Sequence, residues 1–229
     1  MNKKTRQLLL LLLLILIGTI LYQRPVIKGV NATPTKVDKK QELALDAKTQ
    51  AQIKAYFEGV NIKPEENSLA YAIQLDHSVG RKHQLSGNFK AVYETYRKIL
   101  AISYNQGSLM GMGISLGALS GVMQKIRNYD EAINLAFLEY KVSRSLNQRY
   151  EYGVTELRLS QLMGSRDRSL GMAWRLRSRQ SLQGTPHKQD YIMLLSQLVD
   201  DYVWMKKPQQ ALTVAEEAWN LAQSTGMSS

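Results

Sequence analysis

Apolar and polar residues recur along most of this chain with the period of a helix. Leu43, Ala47, Ala51 and Ala55 repeat every four residues, and no stretch alternates over six residues as a strand would. Pro64, Pro186 and Pro208 fall where helices should begin or break. From about Gln41 onward the pattern predicts helix throughout. A different segment stands ahead of it: residues 8–22 are fifteen uncharged residues, twelve of them Leu or Ile, closed by Arg24-Pro25. At about 1.5 Å per residue this run spans roughly 22 Å, against a hydrocarbon core of ~30 Å, which lies between a signal-peptide core and a short membrane helix. Small residues suited to cleavage come only at Val30-Asn31-Ala32, well beyond the run, so an uncleaved anchor is the preferred reading and cleavage the alternative.

The organisation that follows is a signal-anchor segment at 1–25, a linker at 26–40 with Pro, Gly and polar residues, a leading helix at 41–64 and a repeat domain at 65–226. Lys3, Lys4 and Arg6 beside the terminal amine disfavour translocation of the short N-terminal tail. The body is therefore expected outside the cytosol, in the periplasm, on a single-pass anchor in a bacterial inner membrane.

Self-similarity is the most informative signal. Four short turns share one shape, ending at Val92, Ala132, Gly171 and Ala211, which are 40, 39 and 40 residues apart. Each is small or modest in size and is followed by an apolar residue (Tyr93, Ile133, Met172, Leu212), as close contact between antiparallel helices requires. Asn88, Asn128 and Asp167 stand at N-cap positions, where a side-chain oxygen accepts an orphan backbone N–H, and Pro208 suits a first helical position because it has no N–H to lose.

With Asn128-Tyr-Asp-Glu-Ala-Ile133, and with Leu195, Leu198, Tyr202, Ala211, Ala215 and Ala218 at packing positions of the last unit, the chain resembles the tetratricopeptide repeat (TPR) family. The period near 40, instead of 34, is similar to the kinesin-light-chain type, and the family's Trp and closing Pro are missing. The resemblance implies an all-α, right-handed solenoid of about four hairpins, at 66–104, 106–146, 148–182 and 187–224, preceded by the single membrane helix. Carried over by register, it also implies a concave partner-binding face containing His77, Arg81, Gln84, Gly117, Gly121, Gln124, Lys125, Ser196, Asp200 and Trp204. A hairpin cannot bury its apolar stripe alone, so neighbours stack and present an extended surface whose natural use is binding.

Two features stand above the repeat background. Gly107, Gly111, Gly113, Gly117 and Gly121 lie in a stretch without charge between Lys98 and Lys125. Interior helix glycines cost roughly 0.8–1 kcal/mol each relative to alanine, so several together indicate a steric demand: close approach of a neighbouring helix or of a ligand. Charge is the second feature. The chain carries a formal +11, of which residues 141–188, with ten Lys or Arg and three acids, hold a net +7. Arg168, Arg175, Arg177 and Arg179 form a candidate anionic-ligand patch for an acidic protein segment, a lipid head group or a glycan. Arg175 and Arg179 occupy columns that are apolar in other repeats, and a local shift of one or two residues is the preferred explanation.

Catalysis finds little support. Absence of cysteine removes thiolate zinc sites, disulfides and cysteine nucleophiles, and the three histidines, His77, His83 and His187, have no metal-binding spacing. No phosphate-binding, dinucleotide or nucleophile-elbow motif occurs. No enzyme activity, metal or cofactor is expected, and nucleic acid is disfavoured because the basic residues lack interleaved aromatics. The expected function is a membrane-tethered protein–protein interaction scaffold in an envelope complex, of the secretion, pilus or surface-polymer assembly type, with the anionic-ligand module as alternative. The last helix, with Leu212, Ala215, Ala218, Trp219 and Ala222, offers a face for self-association.

Overall fold

The structure, a computed structural model, describes residues 45–225. The anchor and linker at 1–40 lie outside the described residues, and among these no helix is long and apolar enough to cross a membrane. All regular structure in the described residues is helical. After α1 (Ala47–Tyr56) and a 3-10 turn (Pro64–Glu66), α2 runs over 69–86 as Leu69–Leu75, a π-turn at Asp76–Gly80 and Arg81–Ser86. Seven helices follow: α3 (Phe89–Asn105), α4 (Leu109–Lys125), α5 (Tyr129–Ser145), α6 (Arg149–Gly164), α7 (Arg168–Leu182), α8 (Lys188–Trp204) and α9 (Pro208–Ser224).

Local chemistry sets these boundaries. Asn88, Asn128 and Asp167 accept from the backbone N–H groups of Ala91, Glu131 and Leu170 at 3.2, 3.4 and 3.2 Å, capping α3, α5 and α7. Pro208 opens α9. Ser68 and Ser108 cap α2 and α4 in the same way. Most turns carry one residue in the left-handed region, such as Gly87 at φ 69° and Gly107 at 67°, where the chain must reverse directly after the last helical turn. At Arg127 and Lys206 a non-glycine residue takes that role.

The described helices fall into two compact units, α1 to α7 in one and α8 with α9 in the other. In the first, each helix from α2 to α7 packs on the next, and α1 packs on α5. Its core is Ile53, Leu100, Ile102, Met112, Leu116, Leu119, Leu135, Leu159 and Leu162, all essentially without solvent contact. In the second unit α8 and α9 form a hairpin around Leu194, Leu195, Leu198, Val214 and Ala218.

The repeat register persists through the first unit. Val92, Ala132 and Gly171 are buried in α3, α5 and α7, as are Ile99, Glu139 and Ser178 seven residues on, and Ser103, Ser143 and Leu182 four residues further. The third repeat is therefore not shifted, contrary to the preferred sequence explanation. Glycine permits this: a side chain at Gly171 would meet Gly164 Cα at 2.5 Å and Ser160 O at 2.9 Å, so α6 and α7 touch backbone to backbone. Arg175, in the column of Tyr96 and Ala136, turns its guanidinium toward Gly164 instead of entering the core.

Bulk in that same column accounts for the π-turn. Where α5 places Ala136, α3 places Tyr96, and its ring lies against Gly80 while its hydroxyl donates to Asp76 Oδ1 at 2.6 Å. The widened turn admits the ring and brings the Asp76 carboxylate to it. Burial, and then the Asp76 carboxylate, push the Tyr96 phenol well above its ordinary pKa.

Candidate functional site

A concave feature of the first unit lies where α1 meets α3 and α5. Helix α1 is too short to persist alone in water, so its contacts hold it. Ile53 and Thr49 are fully buried beneath it. Asp46 caps its start, accepting from Thr49 N–H at 2.8 Å and Thr49 Oγ1 at 2.6 Å, while Lys141 Nζ of α5 donates to Thr49 Oγ1 at 3.1 Å. The Thr49 bonds hold the Asp46 carboxyl below its ordinary pKa. At the other end Arg97 of α3 closes the helix, Nε donating to Tyr56 O at 2.7 Å and Nη2 to Glu58 O at 2.8 Å. The Tyr56 carbonyl is an orphan acceptor of the helix C-terminus and Glu58 O follows just past the cap, a pair for which a guanidinium is well suited. Gln50 meets the Tyr104 hydroxyl at 3.0 Å, and Tyr56 lies by Glu131 near the start of α5. With Thr49 beside Lys141 and Tyr56 beside Glu131, α1 runs antiparallel to α5.

Beside α1 this groove stays open as a cleft of about 600 Å³, walled by Gln52 and Tyr56 of α1, Tyr93 and Arg97 of α3, and Asn134, Phe137 and Lys141 of α5. Amide, phenol, both signs of charge and aromatic surface meet there. Burial first, then Glu131, raise the Tyr56 phenol well above its ordinary pKa.

Of the residues expected on a concave face, His77, Gln84, Gln124 and Lys125 are exposed. Arg81 is drawn back to Asp76, Nε to Oδ2 at 3.2 Å. Gly117 is buried: an added Cβ would stand 2.8 Å from Glu139 Oε1 and 3.2 Å from Arg158 Nη2, so its surface is already occupied by neighbouring helices. Gly121, one turn on, has open space. Ser196, half-buried and donating to Ile192 O at 3.1 Å, and the exposed Asp200 and Trp204 belong to the second unit. On α9, Ala215 and Ala218 are buried against the hairpin, while Leu212, Trp219 and Ala222 are half-buried.

Much of the basic charge has internal duties. Arg177 donates to the Tyr140 hydroxyl at 2.7 Å, stacks over Trp174 with 4.7 Å to the ring centre, and faces Glu156 at 3.7 Å. Arg149 donates to Gln180 O at 2.6 Å, closing α7, and Arg166 pairs with Asp130 at 2.6 Å. Arg168, Arg175 and Arg179 are engaged within the chain as well.

The ion pair behind Gly117, between buried Glu139 and half-buried Arg158, escaped the sequence reading. Arg158 Nε faces Glu139 Oε2 at 3.2 Å, and Nη1 donates to Gly117 O at 2.5 Å. Burial raises the Glu139 carboxyl, with Arg158 opposing. The available signal was its column: Glu139 aligns with Ile99 and Ser178, which are core positions. Among the described residues no three His, Asp or Glu side chains gather as a metal site.

No family model and no curated protein matches the chain. Among solved structures it is similar to BtubC (BKLC) from P. vanneervenii, with a TM-score of 0.59 and 14% identity over 78% of this chain and 72% of that one. At that identity the likeness is one of fold alone: a helical-repeat protein of sequential antiparallel helix pairs, TPR-like in kind.

Proposed function

We propose that the chain is a membrane-tethered adaptor whose repeats hold a partner protein in a bacterial envelope complex, of the secretion, pilus or surface-polymer assembly type. Residues 8–22 are its anchor in the inner membrane and the repeats its periplasmic body. One observation supports binding of polypeptide above other uses: a groove between two repeat helices already holds a short helix, α1, by one buried isoleucine and a rim of polar bonds. A surface that holds a helix of its own chain has the shape and bonding groups to hold another's. The exposed His77, Gln84, Gln124 and Lys125 are a second contact area in this reading. The alternative, an anionic-ligand module at Arg168, Arg175, Arg177 and Arg179, draws less support because these guanidiniums are engaged internally.

The test is mild crosslinking and affinity capture of the full-length protein from its own membranes, washed in parallel at low and high salt. A stoichiometric protein partner retained at high salt is the expected result. Capture that disappears with salt and leaves only lipid or glycan in the low-salt eluate would overturn the adaptor reading.

A further inference from the structure

Helices α2 to α7 alternate in direction, which brings the turns α2–α3, α4–α5 and α6–α7 to one edge of the first unit and the turns α3–α4 and α5–α6 to the other. Contacts along the first edge agree: Arg166 of the α6–α7 turn reaches Asp130 at the start of α5 at 2.6 Å, and Tyr93 and Glu131, near the starts of α3 and α5, line one cleft. The two edges differ in chemistry. Leu85, Ile126 and Leu170, in or beside the three turns of the first edge, are 88%, 52% and 47% exposed. The turns of the other edge, Gln106-Gly107-Ser108 and Leu146-Asn147-Gln148, carry no charge, and Leu146, their one large apolar side chain, is half-buried. Cations surround the apolar tips. Lys82, Lys90, Lys125 and Arg127 flank Leu85 and Ile126, all four exposed and none held in an ion pair among the described residues. At the third turn the leucine stands without that help, since Arg166 pairs with Asp130 and Arg168 is engaged within the chain. Acids beside these turns are taken up: Asp130 holds Arg166, Asp167 caps α7 and Glu131 lies by Tyr56. The second unit, taken by itself, shows the same chemistry, its α8–α9 turn exposing Val203, Trp204 and Met205 directly before Lys206 and Lys207.

We infer that this edge rests on an anionic bilayer surface, Leu85, Ile126 and Leu170 entering between the head groups while Lys82, Lys90, Lys125 and Arg127 meet the lipid phosphates. The inference rests on the adaptor reading, in which residues 8–22 are a membrane anchor, and adds how the repeats lie on that membrane. Shape favours lipid over protein: Leu85 and Ile126 project from turns as separate wedges, where a partner helix would need a groove with walls. Wedges spaced by cations suit a deformable head-group layer, into which apolar side chains sink while Lys and Arg stay at the phosphates. Charge favours it too, because the four cations around the first two turns have no acid of their own chain to satisfy them, and an anionic leaflet attracts each one. Reach is the third support. Residues 23–44 separate the apolar run from Leu45, and at full extension they span at most roughly 75 Å, so an anchored chain keeps the edge within reach of the surface. Such tethering lets a contact of a few side chains persist that would be transient for a free domain.

The chain has no cysteine, so one introduced residue carries a fluorescent dye without ambiguity. Full-length protein labelled at Ser86→Cys or Ser169→Cys on this edge, or at Gln148→Cys on the other, is reconstituted into phosphatidylcholine vesicles with or without about a third phosphatidylglycerol. Quenching by lipid with a nitroxide at the head group is the readout. The expected result is quenching at 86 and 169 but not at 148, in the anionic vesicles, with at least about half of it lost at roughly 0.5 M salt. Lys82→Glu with Lys125→Glu, and separately Leu85→Asn with Ile126→Asn, should each reduce it about threefold or more. All four side chains are exposed, and circular dichroism checks that each variant keeps its fold. Equal quenching at all three sites, or quenching indifferent to phosphatidylglycerol or to both double variants, would overturn the assignment. So would a dye shift without lipid quenching, the mark of a protein contact. Carbonate extraction reads the anchor separately: a chain that resists it without quenching at 86 and 169 sinks this edge and keeps the anchor. One that is stripped by it, yet quenched at both sites in anionic vesicles, sinks the anchor and keeps the edge.

Discussion

A methyl group added at Gly117 and one added at Gly121 are expected to act in opposite directions, although the two glycines are one turn apart on α4. At Gly117 it would meet the buried Glu139 Oε1 at 2.8 Å and disturb its pairing with Arg158, so Gly117→Ala should destabilise by about 1–3 kcal/mol. At Gly121 nothing lies within 4 Å, and the substitution should stabilise by up to about 0.8–1 kcal/mol through helix propensity alone. Urea midpoints of the two variants decide it, and equal shifts would mean that the Glu139–Arg158 pair does not press on α4. Glu66 offers a test in pH. Lys98 Nζ at 2.7 Å, then the Lys63 N–H at 3.1 Å, hold its carboxyl down from 4.5 to about 2. A carboxyl depressed on folding contributes stability above its unfolded value and loses it as pH falls, here between about 4.5 and about 2. Glu139, raised by burial, has the opposite sign, its share falling as pH rises above 4.5. The parent minus Glu66→Gln difference isolates the first effect and should be present at pH of about 6 and vanish by about 2. A difference independent of pH would show that Lys98 and Lys63 do not hold the charged form. The acid in a core column was legible from the 40-residue period, whereas its partner Arg158 comes from another helix and depends on how α4, α5 and α6 meet.

At the scale of elements, α1 is the part whose attachment is most open to measurement. Its buried apolar contribution is essentially Ile53, and much of the rest is polar. Arg97→Ala removes both bonds to the Tyr56 and Glu58 carbonyls and should cost about 2 kcal/mol, since hydrogen bonds to a charged group are among the stronger ones. Hydrogen exchange should then accelerate over 47–57 while α4 and α6 keep their protection. Unchanged exchange at α1 would show that Ile53 alone holds it. The elements were legible to different degrees, for physical reasons. Helix starts at Phe89, Tyr129 and Arg168 follow from short-range capping chemistry that sequence displays directly. The π-turn at Asp76–Gly80 answers a Tyr96 ring twenty residues away in α3, and the place of α1 depends on Arg97 and Lys141 from two different helices. Neither contact leaves a periodic trace. The shift expected in α7 failed for a related reason: two arginines looked impossible in apolar columns, but Gly164 leaves room for the Arg175 side chain to turn aside.

At the scale of the molecule, a unit such as α1 to α7, built from helices that each pack on the next, should carry a disturbance only as far as its neighbours do. Gly171→Ala is a clean probe within α1 to α7, because the new methyl would strike the backbone of Gly164 and Ser160, which cannot swing aside as a side chain can. Helices α6 and α7 would be wedged apart, at a cost of about 1–3 kcal/mol. If stability is a sum of hairpins and nearest-neighbour interfaces, exchange should accelerate strongly in α6 and α7, less in α5, and hardly at all in α2 and α3. Uniform acceleration from 69 to 182 would instead mean that the unit opens as one body, with the continuous core from Val92 to Leu162 acting as a single cooperative whole. The distinction bears on binding. In the first case α6 and α7 soften independently of the α1 groove, so a partner's grip there would survive the substitution. In the second, any ligand that tightens the α1 groove stabilises the whole unit, α6 and α7 included, through shared rigidity.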